Sequence, residues 1–195
     1  LFKRPLKNPN FRRLLVFNSA WVFAVNIAAP FFTVFMLKSV GLPISYIIAL
    51  SIISQFSSIL TIRMWGTFSD RYSNKSIISL SAPIYILCLI GWCFVGIYTH
   101  LYNNIALLVV IHIFGGIATS GINLSLTNIG LKLSPKKDAI VYLSIKNIIT
   151  AVFASLGPLL GGVLADYFAL RGLTLHANWD GPQYHGMVRL VSLHT

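Results

Sequence analysis

The chain has 195 residues, of which 56% are apolar and only 10% charged, and it carries a net charge of +11. Soluble domains carry about a quarter charged residues, so a water-soluble globule is excluded and length counts in membrane crossings rather than in domains. The basic excess does not point to nucleic acid: Lys and Arg sit in short clusters between apolar runs, as the positive-inside rule requires, with no recognition helix or aromatic stacking platform beside them.

In chain order, Lys3 to Arg13 is polar and basic, and the run that follows is too long for a signal-peptide core. Apolar spans are predicted over Leu14 to Leu37, Ile44 to Trp65 and Ile77 to Tyr98, each near the ~20 residues that cross ~30 Å of hydrocarbon. A fourth span over Ile105 to Leu131 and a fifth over Ala139 to Leu170 exceed that need, so they are expected to tilt, kink or project. The connections Lys38 to Pro43, Gly66 to Ser76, Thr99 to Asn104 and Lys132 to Asp138 hold Gly, Pro, Asn and Ser breakers. Turns this short make sequential helices antiparallel neighbours. From Arg171 onward no apolar run follows, and the tail reads as a loop.

The fold class is therefore an all-α integral membrane bundle of antiparallel helices. Residues 1–13 form a basic cytoplasmic segment, 14–170 the transmembrane bundle of about five helices, and 171–195 an extracytoplasmic loop or tail. Lys3, Arg4, Lys7, Arg12, Arg13, Arg63, Arg71, Lys75, Lys132, Lys136 and Lys137 fall on one side, against Lys38, Arg171 and Arg189 on the other. The first side, with the N-terminus, is cytoplasmic. The lipid bilayer is thus the first expected partner, and an odd number of spans suggests a missing helix, because transporters are built from paired repeats.

Polar groups at membrane depth face a cavity or another helix. The candidates for a substrate pathway are Asn18 and Asn26 in the first span, His112, Asn123 and Asn128 in the fourth, and Lys146 with Asn147 in the fifth. For each asparagine the competing role is an interhelical hydrogen bond worth ~0.6 kcal/mol. His112 more often packs, or bonds a backbone carbonyl, than relays protons. Lys146 lies roughly 13 Å along the axis from the basic Lys136-Lys137 end. It either snorkels or points inward, where a fixed positive charge favours anionic substrates.

Catalysis is not supported. The chain lacks a Ser-His-Asp set, paired carboxylates and a metal-spaced His cluster, so neither enzyme activity, cofactor nor metal is expected. Cys88 and Cys93 share one span on different helical faces and form neither a disulfide nor a metal pair. There is no Glu, and Asp70, Asp138, Asp166 and Asp180 lie in loops or at span ends. No mid-membrane carboxylate is present for proton coupling, which then resides elsewhere or is absent.

Two stretches carry a resemblance. The connection Gly66-Thr67-Phe68-Ser69-Asp70-Arg71-Tyr72-Ser73-Asn74-Lys75 resembles the signature loop of the major facilitator superfamily. Gly66, Asp70, Arg71 and Lys75 match; Ser73 stands in place of Gly and Asn74 in place of a basic residue. Gly66 would permit close approach of two helix ends, while Asp70 can sit at a helix N-terminus or pair with Arg71. In that family the loop latches the cytoplasmic side closed.

The second stretch, Gly157-Pro158-Leu159-Leu160-Gly161-Gly162, is similar to a helix pattern of the same superfamily. Gly157, Gly161 and Ala165 share a face that admits a close neighbour, and Pro158 bends the span into a packing hinge. With Asn10 to Arg13 resembling the lead-in to a seventh helix and the fourth span resembling a tenth, the likeness implies helices seven to eleven of a twelve-helix permease. It further implies a secondary transporter of a small solute, working by alternating access with an N-terminal half of the same permease, in the bacterial inner membrane. The other reading is a non-transporting binding or assembly protein on a permease-like scaffold.

Overall fold

The computed structural model describes residues 3–97 and 101–169. It holds six helices: α1 (Lys3–Lys7), α2 (Pro9–Lys38), α3 (Ile44–Arg71), α4 (Asn74–Trp92), α5 (Leu101–Leu133) and α6 (Ala139–Ala169). No strand occurs among the described residues. Five helices, all but α1, are long and apolar enough to cross a membrane. Their outward faces are greasy: Ile59, Leu159 and Val163 are each about two-thirds exposed, at 67%, 68% and 66%. Water would not tolerate such faces on five helices at once, whereas lipid does.

Helix boundaries shift from the expected ones for local reasons. α2 starts at Pro9 rather than Leu14, because the Asn8 side chain accepts hydrogen bonds from the backbone N–H groups of Asn10 (3.1 Å) and Phe11 (3.3 Å) and proline occupies the first turn. Arg12 and Arg13 are consequently helical. α4 stops at Trp92 instead of reaching Tyr98, which lies outside the described residues. Its end tightens through i→i−3 bonds from Cys93, Phe94 and Val95, and Gly96 then adopts φ +91°. The buried Asn104 side chain accepts from the Gly96 N–H at 3.0 Å and ties the next helix to that turn.

The largest correction concerns Gly66 to Ser76. α3 continues through Gly66 to Arg71, and only Tyr72 and Ser73 separate it from α4. A single glycine costs a helix about 1 kcal/mol, less than the packing on either side of it: Trp65 and Ser69, one turn apart, are both buried. The Ser73 hydroxyl accepts from the Ser76 N–H at 3.1 Å and caps α4.

Short turns join the sequential helices, and of the expected sequential neighbours α4 and α5 pack densely, whereas α2–α3, α3–α4 and α5–α6 touch only sparsely. The dense interfaces are α3 on α5, α2 on α6 and α4 on α5. α5 is the centre, with Leu108, Ala118, Ser120, Ile122, Ser125 and Leu126 all buried. Small residues explain why: a Cβ on Gly116 would overlap the Ser54 carbonyl of α3, and one on Gly121 would overlap the Ser81 hydroxyl of α4 and the Trp65 ring. Trp65 Nε1 also donates to the Ile117 carbonyl at 2.9 Å.

The α2–α6 pair meets this three-helix unit at its two ends. Phe11, Leu14, Leu15, Ile122, Leu126 and Tyr142 form one buried cluster, while Met36, Leu42, Ile47, Leu50, Leu108 and Ile111 belong to the other. No Cα of α2 comes within 8 Å of a Cα of α4. Rings bridge that gap instead, Trp21 to Tyr85 at 5.6 Å and Phe32 stacked on Trp92 at 4.3 Å.

Candidate functional site

The α3–α4 turn is rigid in its interior and bare on its outer side. Beneath it, the Ser69 hydroxyl donates to the Asn74 Oδ1 at 2.6 Å, and both residues are buried. Asn74 therefore pins the turn from within. Asp70, Arg71 and Lys75 are all exposed. The expected Asp70–Arg71 pair is not formed; the Arg71 guanidinium lies 5.6 Å from the centre of the Tyr72 ring, and that ring packs at 4.9 Å on Phe68. Nor does Gly66 admit a close neighbour among the described residues, since a Cβ there would meet nothing within 4 Å.

Asp70 thus occupies the last turn of α3 with no partner among the described residues. A carboxylate there faces the negative end of the helix dipole, which costs about 0.3–1 kcal/mol at an exposed site.

The intramembrane polar residues divide into two groups. Asn18 is buried and its Nδ2 donates to the Thr150 hydroxyl of α6 at 2.6 Å; that hydroxyl in turn donates to the Lys146 carbonyl at 2.7 Å. Asn26 donates to the Val22 carbonyl of its own helix at 2.8 Å. His112 Nδ1 donates to the Leu108 carbonyl at 2.7 Å while its ring meets Trp92 edge-on at 5.9 Å. These three are engaged in helix structure. Asn123 and Asn147 are exposed and Asn128 is half-buried.

Lys146 is buried, at 8% exposure, and no carboxylate among the described residues pairs with it. Its stem runs over Gly130 of α5, near Leu14 of α2: a Cβ on Gly130 would lie 3.7 Å from Lys146 Cδ and 3.8 Å from a Leu14 methyl. A cation so placed sits at the junction of three helices.

A family model, that of the Major Facilitator Superfamily, matches residues 14–176, which takes in four spans whole and the first from Leu14 onward. The chain belongs to the Major Facilitator Superfamily. No curated protein and no solved structure matches it. It is accordingly an integral membrane protein and a transporter of the major facilitator kind, with its apolar helix faces in lipid.

In this major facilitator chain the Gly-Pro-Gly-Gly stretch is a packing face. A Cβ on Gly157 would sit 2.8 Å from Asn26 Cβ and 2.9 Å from the Phe23 carbonyl, and one on Gly161 would overlap the Ile27 carbonyl. The next two members do not take part: Gly162 has open space around it and Ala165 is exposed. Pro158 lies inside the helix between the two contacts, where its missing N–H leaves the Ala154 carbonyl without its usual helical partner.

Sequence reasoning missed the other close approach, Gly116 and Gly121 on α5. The signal was present as Gly115-Gly116 followed by Ala118, Thr119, Ser120 and Gly121, a run of small residues in the middle of a span. It also missed the polar bond across α3 and α5, where the Thr61 and Ser120 hydroxyls lie 3.1 Å apart.

Proposed function

We propose that these five spans act as helices seven to eleven of a twelve-helix secondary transporter, which moves a small solute by alternating access, with the α3–α4 turn as a latch on its cytoplasmic side. The observation that carries this reading is Asp70. It is an exposed carboxylate on the electrostatically wrong end of α3, held on a turn that the Ser69–Asn74 bond keeps in shape. A contact made outside this bundle in one conformation and broken in the other has a use for such a group. The N-terminal half of the same permease is the partner that would supply it.

The basic clusters support a cytoplasmic N-terminus; the bacterial inner membrane is the location that goes with this reading. Asn123, Asn128 and Asn147 remain as pathway groups, because none is spent on a hydrogen bond among the described residues. Lys146 gives the pathway a fixed positive charge and a preference for anionic solutes.

Transport by the whole protein in vesicles tests the reading. Asp70→Asn should slow turnover several-fold with a modest loss of substrate binding, since it alters a conformational equilibrium and not a binding contact. Turnover equal to that of the parent protein would refute the latch.

A further inference from the structure

We propose that Gln55 of α3 and Asn123 of α5 form a hydrogen-bonding site, near mid-membrane, for a solute rich in hydroxyl groups. Gln55 lies about 4 Å along the axis from the midpoint of α3, and Asn123 about 9 Å from that of α5. Both are exposed, and neither amide has a hydrogen-bond partner among the described residues. The hydroxyls near them differ: Ser51, Ser57 and Thr119 donate to carbonyls of their own helices. Each amide keeps two donors and an acceptor unspent, which hydrocarbon cannot satisfy.

The two amides share one side of a helix pair. α3 and α5, separated in sequence by α4, cross the membrane in the same direction and meet through Ser54 against Gly116 and Thr61 against Ser120. Gln55 follows Ser54 by one residue, a turn of about 100° away from the contact; Asn123 follows Ser120 by three, which is about 60° the opposite way. On parallel helices that face each other, rotations of opposite sense lead to the same side. The same contacts set the levels and place the amides about 10 Å apart along the axis. The flanks of Gln55 are the exposed, bulky Ile52, Phe56 and Ile59, whereas the closest helix contacts of this bundle are made at Gly116, Gly121, Gly157 and Gly161. Such flanks hold a facing helix off and leave the amides to a solute.

Charge is absent at this depth. α3 carries no ionisable side chain from Ser51 to Ile62, and on α5 the nearest is His112, engaged with the Leu108 carbonyl. Lys146, at the level of Gly130, stands about 10 Å further along α5. Amides that donate and accept alike match hydroxyl groups, which do the same. The solute is therefore held here by its hydroxyls, and Lys146 acts on any negative charge from a separate position. The inference rests on the transporter reading and names the class of solute.

The test uses the whole protein in vesicles, with Cys88 and Cys93 replaced by Ala. Gln55→Cys and Asn123→Cys should react with a membrane-impermeant trimethylammonium methanethiosulfonate at least about tenfold faster than Phe56→Cys, one residue further round the same helix. In the purified parent protein, millimolar glucose or gluconate should raise the unfolding temperature, and hydroxyl-free succinate should not. Gln55→Leu and Asn123→Leu should each raise the concentration needed by about tenfold, whereas Ser51→Ala, which removes a hydroxyl already satisfied within α3, should leave it within twofold. Labelling as slow as at Phe56→Cys would overturn the site by placing lipid or a helix of the other half on this face. Fast labelling without stabilisation by either hydroxyl-rich compound, or with succinate as effective as gluconate, would overturn it too, while leaving a wet pathway and the transporter reading in place. Turnover of Asp70→Asn is read separately, so the latch and this site fail independently.

Discussion

Asn18 of α2 and Thr150 of α6 meet side chain to side chain at 2.6 Å, a bond between residues far apart in sequence that fixes the register of the two helices. Interhelical bonds of this kind are worth ~0.6 kcal/mol on average, because the unfolded chain in lipid also finds partners. A double-mutant cycle with Asn18→Ala and Thr150→Val, read by unfolding in mixed micelles, should give a coupling of about that size. A coupling indistinguishable from zero would show that the helices are registered by their glycines alone.

The glycines make a sharper set of expectations. Gly116→Ala and Gly161→Ala each drive a methyl into a backbone carbonyl of the neighbouring helix, and should destabilise by about 1–3 kcal/mol. Gly115→Ala and Gly162→Ala place the same methyl in open space and should be neutral or gain up to about 1 kcal/mol from helix propensity. Thermal unfolding of the four variants in one detergent checks the contrast.

Asn74 departs from the family pattern, which has a basic residue there. Asn74→Lys restores the pattern but removes the acceptor of the buried Ser69 hydroxyl. It should lower stability by about 1–3 kcal/mol, the cost of leaving a buried polar group unpaired. A variant as stable as the parent would mean that the turn is held by the Ser73 cap without that bond.

Lys146 is a buried cation without an ionic partner among the described residues. Lys146→Met keeps its packing over Gly130 and removes the charge, so stability should hold or rise by about 1–2 kcal/mol. Transport by the same variant should lose its preference for anionic over neutral solutes. A fall in stability would assign the ammonium to the fold instead.

The number of spans, their order and the family were legible because they follow from quantities a sequence states directly: apolar length, the side on which Lys and Arg gather, and one charged turn. Helix ends were less so. Gly66 reads as a breaker in isolation, and only the burial of Trp65 and Ser69 on either side of it shows that the helix runs on. Neighbour relations were hidden for a similar reason. Short turns fix direction, but whether α3 packs on α4 or α5 depends on where small residues from distant segments coincide, as Gly116 does with Ser54.

Within the site, hydrogen bonds did the sorting. Asn18, Asn26 and His112 looked no different from Asn123, Asn128 and Asn147 in the sequence. What separates them is whether a carbonyl or hydroxyl lies within reach, at 2.6 to 2.8 Å for the first three. Lys146 was conspicuous from its residue type alone, since an ammonium at that depth has no cheap explanation.

The ring-bridged gap between α2 and α4 gives the bundle a seam. Glycine contacts lock helices at one register, because displacement of an ångström brings Cα hydrogens onto carbonyls; ring contacts, stacked at Phe32–Trp92 and tilted at Trp21–Tyr85, tolerate that distance with smaller loss of dispersion energy. Any slack in this bundle is therefore concentrated along the line from Trp21–Tyr85 to Phe32–Trp92, and the α2–α6 pair can shear there as a unit while the glycine-locked trio keeps its shape.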